Sequence, residues 1–133
     1  MNPCIEQVKH NESFHQNLCE KFEDQYFDWK ITCLFYVAHH LIKSLSHHWG
    51  VDIGNRHSDN LKNLNPKNPN RTMQVKASIF EAYDTLFEYS WTARYDGFTD
   101  FETFQNLKKA DYEDALKRCN HIKQYVIANG VIL

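Results

Sequence analysis

Five of the eight histidines, His39, His40, His47, His48 and His57, fall within nineteen residues, and such crowding first raises metal chelation. A helical histidine pair chelates best at i and i+4, where both rings reach one ion at about 2 Å. His40 and His47 share a helix face two turns apart, about 10 Å along the axis, and His39 and His40 point in different directions. No metal site is expected. A third ligand, His57 or Asp52, beside His47 or His48 is the arrangement that would create one. The plainer reading has His39 flanking the core with a satisfied ring nitrogen and the other histidines exposed or at an interface.

His57 stands inside a stretch of unusual charge. Residues 56–76 carry Arg56, Lys62, Lys67, Arg71 and Lys76 against Asp59 alone, whereas residues 1–55 carry four Lys/Arg against seven Asp/Glu. The chain as a whole has a formal charge of −2. That balance excludes a protein that coats nucleic acid, which needs many phosphate-neutralising cations, but a local polyanion-facing patch fits it. The bland alternative is a solvated basic loop.

Other chemistries find little support. The four cysteines, Cys4, Cys19, Cys33 and Cys119, form no C-x-x-C pair, and Cys33 and Cys119 fall near apolar faces where a thiol packs as a small hydrophobe. Acidic and basic residues stud the first thirty positions, so no secretory leader is expected, and free thiols imply a reducing, cytoplasmic setting. There is no G-x-S-x-G, Walker A or G-x-G-x-x-G sequence, and no cofactor is expected. No window approaches the roughly 18 apolar residues of a membrane span, so no membrane partner is expected.

The elements that must position these residues are helical. Four glycines and three prolines are too few for an all-β chain of 133 residues. Asn2-Pro3 starts a helix whose apolar positions are Ile5, Val8, Phe14, Leu18 and Phe22, ending near Glu23-Asp24. Asp28 is expected to cap a second helix with Ile31, Leu34, Phe35, Ala38, Leu41, Ile42, Leu45 and Trp49 at spacings of three and four, closed by Gly50. A short helical stretch over Ser58–Leu64 precedes the breaker run at 65–70. A third long helix is expected from about Thr72 to Tyr95-Asp96-Gly97, bearing Ile79, Phe80, Tyr83, Leu86, Phe87 and Ser90. The last runs from about Asp100 to Ala128, with a break near Lys109–Asp111 and Leu116, Cys119, Ile122 and Val126 in core register. The expected fold is all-α: one domain over residues 1–133, an up-and-down four-helix bundle with an additional short helix.

The blocks Asp28-Trp29, Phe35-Tyr36-x-Ala38-His39-His40-Leu41, Arg56-His57-Ser58 and Tyr83-x-x-Leu86-x-x-x-Ser90-x-x-Ala93-Arg94-Tyr95, in that order, resemble the HEPN (higher eukaryotes and prokaryotes nucleotide-binding) superfamily over about residues 10–128. The resemblance implies an all-α bundle that commonly homodimerises. Its members include ribonucleases of toxin–antitoxin, phage-defence and RNA-processing systems, nucleotide-binding modules and non-catalytic partners. The ribonucleases carry an Arg, four to six intervening residues and a His. Counted from Arg94, that His would fall at Thr99, Asp100 or Phe101, and Arg118 precedes His121 by only three. The spaced pair is absent, which leaves enzymatic activity open.

A substitute constellation places His57 as base or phosphate donor and Arg94 as phosphate clamp, with Asp59 and Ser90 in support. Arg56, Asn60, Lys62, Lys67, Arg71 and Tyr95 are the further candidates for phosphate contact. Two functions follow: a domain interacting with RNA or nucleotides, a divergent ribonuclease in its sharpest form, or a non-catalytic homodimeric module that docks a cognate protein through its aromatics. In the plainer reading His57 caps its short helix and Arg94 satisfies the last carbonyls of its own.

Overall fold

A computed structural model describes residues 2–95 and 100–133, and among them the chain is all-α. α1 (Pro3–Lys21) begins at Asn2, whose side chain accepts from the Cys4 amide at 3.1 Å and donates to the Ser44 carbonyl at 3.2 Å. The cap therefore also pins α1 to α2 (Phe27–Trp49). Val8 is the buried residue of α1, while Phe14 and Phe22 are exposed, so this helix covers the core with a narrow stripe.

α2 is the axis of the bundle. It packs against α1, α4 (Ala77–Tyr95) and α5 (Phe101–Ala128), and its buried positions lie on more than one face. A helix apolar on so much of its circumference belongs inside, which is how the Ile31–Leu45 residues are used. Its start differs from expectation. Asp28 lies in the first turn and not at the cap; Tyr26, left-handed at φ 59°, is the cap residue and makes no side-chain cap bond. The connection is held by Lys30 instead. Its ammonium, on a residue only 1% exposed, donates to the carbonyls of Phe22 and Glu23 just beyond α1. A cation there satisfies carbonyls that the helix end leaves unpaired. At the other end Gly50 is left-handed at φ 69°, and the Gly50 and Val51 amides donate to the carbonyls of His47 and Ser46.

The segment after α2 sets α3 (His57–Leu64) in place. The buried Asn60 donates to the carbonyls of Ile53 and Gly54 at 3.0 and 2.9 Å, and Lys43 donates to Gly54 at 3.0 Å. Gly54, at φ 86°, is required there, because a Cβ would meet that of Asp59 at 2.6 Å.

α4 starts at Ala77 and not near Thr72. Met73 and Val75 are buried while Thr72, Gln74 and Lys76 are exposed, the alternation of extended chain and not of a helix. α4 ends at Tyr95, and the expected stop at Asp96-Gly97 falls outside the described residues.

α5 is continuous, without the expected break near Lys109–Asp111. Asp100 caps it, accepting from the Thr103 amide at 3.2 Å. Lys108, buried, donates to Thr92 of α4 at 2.7 Å and to Asp111 at 3.2 Å, while Lys109 donates to Asp24 before α2 at 2.9 Å, so the polar side chains there make their bonds without a break. Ala115 and not Leu116 enters the core ahead of Cys119, Ile122 and Val126; Leu116 is exposed. His15 and Cys19 of α1 meet the Tyr112 hydroxyl at 2.8 and 3.2 Å, joining α1 to α5.

Replacing Lys30 with methionine keeps the stem and removes the donor, so that among the described residues the Phe22 carbonyl keeps only the Gln25 amide at 3.4 Å and the Glu23 carbonyl loses its ammonium. Lys30→Met is expected to lower stability by about 1–3 kcal/mol, read from urea denaturation. An unchanged midpoint would contradict the role given to Lys30.

Candidate functional site

α2, α3 and α4 converge on a cluster of rings around Phe35. His57, the first residue of α3, has its ring centroid 5.2 Å from Phe35, 5.0 Å from His39, 5.6 Å from Phe87 and 6.0 Å from Tyr36. Arg94, in the last turn of α4, donates from Nη1 to the Tyr36 hydroxyl at 3.3 Å, with its guanidinium carbon 5.7 Å from the Tyr36 ring centre. His57 and Arg94 thus lie against the same tyrosine from two helices that sequence separates by thirty-odd residues. Tyr36 sits on α2, so three elements build the site.

Electrostatics couples its members. Burial lowers the His57 titration below the ordinary imidazole value, and the Arg94 charge lowers it further. His39 is pushed down to about 3, mainly by burial and then by His40, His57 and Lys43. Its Nδ1 is 3.0 Å from the Tyr83 hydroxyl, whose own proton is held more tightly than usual because the phenol is buried. Burial, then Lys43, lowers His40. At neutral pH the site is therefore a set of neutral imidazoles between the Arg94 guanidinium and the Lys43 ammonium. A neutral imidazole can take a proton, and a guanidinium can hold an anionic oxygen. Nδ1 of His57 is enclosed and has no hydrogen-bond partner among the described residues.

The other candidates take separate places. Arg56 is exposed and pairs with Asp59 at 3.2 Å, so the Asp59 carboxylate is engaged there and not with His57. Asn60 is fully buried and fastens the 53–54 carbonyls, which keeps its amide from any ligand at the surface. Ser90 is buried and donates to the Phe87 carbonyl of its own helix at 2.8 Å. Lys62 and Lys67 are exposed, and Arg71 is half-buried. The Tyr95 side chain lies outside the described residues. His47 and His48 are exposed, and among the described residues no three His, Cys, Asp or Glu side chains are grouped to hold a metal. Burial pushes the Cys33 thiol up to about 11 and Cys119 up to about 12, so both stay protonated at neutral pH.

Tyr36, His39 and Tyr83 are members of the site that reasoning on charge and spacing did not assign to it. The signal was present as polar residues at helical spacing inside otherwise apolar faces, but which ring meets which depends on how α2 and α4 pack.

The fold and the cluster define an all-α bundle with a histidine–arginine–tyrosine site between three helices. The chain matches the family model described as HEPN domain over residues 8–129, nearly its whole length, and it belongs to that family. HEPN domains are generally connected with nucleotides or RNA. Comparison with curated proteins and with solved structures finds no match. No helix among the described residues is long and apolar enough to cross a membrane.

Because His39, His40 and His57 all titrate below their ordinary 6.5, the unfolded chain takes up protons first as pH falls. The His39 contribution to stability is complete above its unfolded value of 6.5 and is lost between there and about 3. The urea midpoint is expected to drop between about pH 7 and about pH 5, and to drop less in His39→Gln. Equal pH slopes for the two proteins would count against a buried, neutral His39.

Proposed function

We propose that the domain binds RNA or nucleotides through a phosphate held by Arg94, with His57 beside it as the neutral base of a divergent ribonuclease. The observation that carries this reading is the meeting of His57 and Arg94 on Tyr36. Family ribonucleases draw their Arg and His from one short stretch; here a His from α3 and an Arg from α4 would supply the same two capacities, a proton acceptor for the ribose 2′-hydroxyl and a cation for the phosphorane-like transition state. Tyr36 orients the guanidinium. Lys62, Lys67 and Arg71 add long-range attraction for a polyanion. A toxin or defence role, in a cytoplasmic setting, is the biological form this reading takes.

A second reading, the homodimeric module that docks a cognate protein, draws on a different surface. Tyr26, Trp29 and Phe101, all exposed, line a groove of about 540 Å³ at one end of the bundle. Large exposed aromatics of this kind anchor protein interfaces.

Purified protein with labelled total RNA tests the first reading. Binding is expected to weaken with added salt, and His57→Gln and Arg94→Gln are each expected to weaken it about tenfold or more. His57→Gln should abolish any cleavage. No salt-sensitive binding, or binding indifferent to both substitutions, would contradict it.

A further inference from the structure

Next to the His57 cluster, the outer face of α4 carries a shallow groove of about 540 Å³ lined by Phe87, Glu88, Trp91 and Thr92. Phe87 joins the two places, its ring 5.6 Å from His57 on one side and 6.3 Å from Trp91 on the other. Trp91, three residues before Arg94 on the same helix, is 51% exposed beside the site that holds the phosphate in the reading above. Indole faces bind the π-faces of unpaired bases.

The polar groups of the groove differ in what they have left to give. The Thr92 hydroxyl donates to the Tyr89 carbonyl at 3.1 Å and accepts from Lys108 at 2.7 Å. Glu88 is exposed, and its carboxylate makes no hydrogen bond or ion pair among the described residues. A carboxylate has acceptors only, and its two oxygens suit a pair of adjacent N–H donors. Among the bases guanine offers such a pair on its Watson–Crick edge, N1–H with the exocyclic amine. Adenine and cytosine offer one amine beside an acceptor. Uracil offers one N–H between two carbonyls, which a carboxylate repels. The same negative charge repels a phosphate, so a nucleotide is oriented with its backbone toward Arg94 and its base toward Glu88.

We infer that the Phe87–Trp91 groove is a nucleobase subsite for single-stranded RNA, with Trp91 as the stacking platform and Glu88 as a selector for guanine. This rests on the phosphate-site reading and names the ligand class of that same region. Continuity with the His57 cluster through Phe87 favours this occupant over a second copy of the chain.

The test uses short single-stranded RNA oligonucleotides, guanine-rich or uracil-rich, with affinity followed by fluorescence polarisation and molecular mass by light scattering. Wild type is expected to prefer the guanine-rich strand about tenfold, Trp91→Ala to bind it about tenfold more weakly, and Glu88→Gln to lose the preference while still binding. Trp91→Phe, which keeps a ring, should recover most of the affinity. If RNA binding depends on His57 and Arg94 but ignores Trp91 and Glu88, the subsite is overturned and the phosphate site stands. If wild type binds neither strand in a salt-sensitive way, both fail. If Trp91→Ala turns a dimer into a monomer without changing RNA affinity, the groove is a contact between copies and the inference is overturned.

Discussion

Burial of α2 against three other helices is the constraint on which the remaining structure depends. Once Ile31, Phe35, Ala38, Leu41 and Leu45 lie in the core, a polar group buried with them on that helix is costly unless it finds a partner within the protein. Lys30 finds the carbonyls beyond α1, His39 finds the Tyr83 hydroxyl on α4, and Lys43 finds the Gly54 carbonyl before α3. The bonds of these three residues tie the end of α1, the stance of α4 and the approach to α3 to the central helix. The position of His57 follows from the last two.

The consequence for chemistry is a partly buried cluster in which imidazoles are kept neutral beside a cation. Desolvation outweighs every other influence on His39, His40 and His57, and the neighbouring positive charges act in the same direction. In the function we propose, such a pair suits a phosphodiester: Arg94 would hold the anion, and the unprotonated ring would accept a proton. The arrangement does not require the two residues to be close in sequence. An Arg and a His a few positions apart on one chain segment is one route to that pairing, and two helix termini meeting across Tyr36 is another.

Much of the architecture was legible because it rests on local chemistry. The α2 face, the Gly50 stop, the Asn2 cap and the HEPN blocks are each written in neighbouring residues. The misjudged features depend on competition between local and tertiary forces. Met73 and Val75 read as part of a helix until their alternation with exposed Thr72, Gln74 and Lys76 is noticed. The polar residues near Lys109–Asp111 suggested a break in α5, because partners such as the Thr92 hydroxyl for the neighbouring Lys108 and Asp24 for Lys109 cannot be foreseen from that segment. In the same helix Ala115, four residues before Cys119, is buried where Leu116, three before it, was expected. At the site, His57 and Arg94 were legible as residue types; Tyr36 as their common neighbour, and Asn60 as a buried loop fastener, were matters of packing.

The central claim is that His57 and Arg94 act together on one ligand. Nitrogen-detected NMR of the histidine rings and arginine guanidinium groups during titration with a guanosine monophosphate tests it most directly. His57 and Arg94 are expected to shift together along one saturation curve, while exposed His10 and His121, away on α1 and α5, stay unmoved. Shifts confined to the loop cations Arg56 and Arg71, or shifts of His57 and Arg94 at separate concentrations, would contradict a shared site.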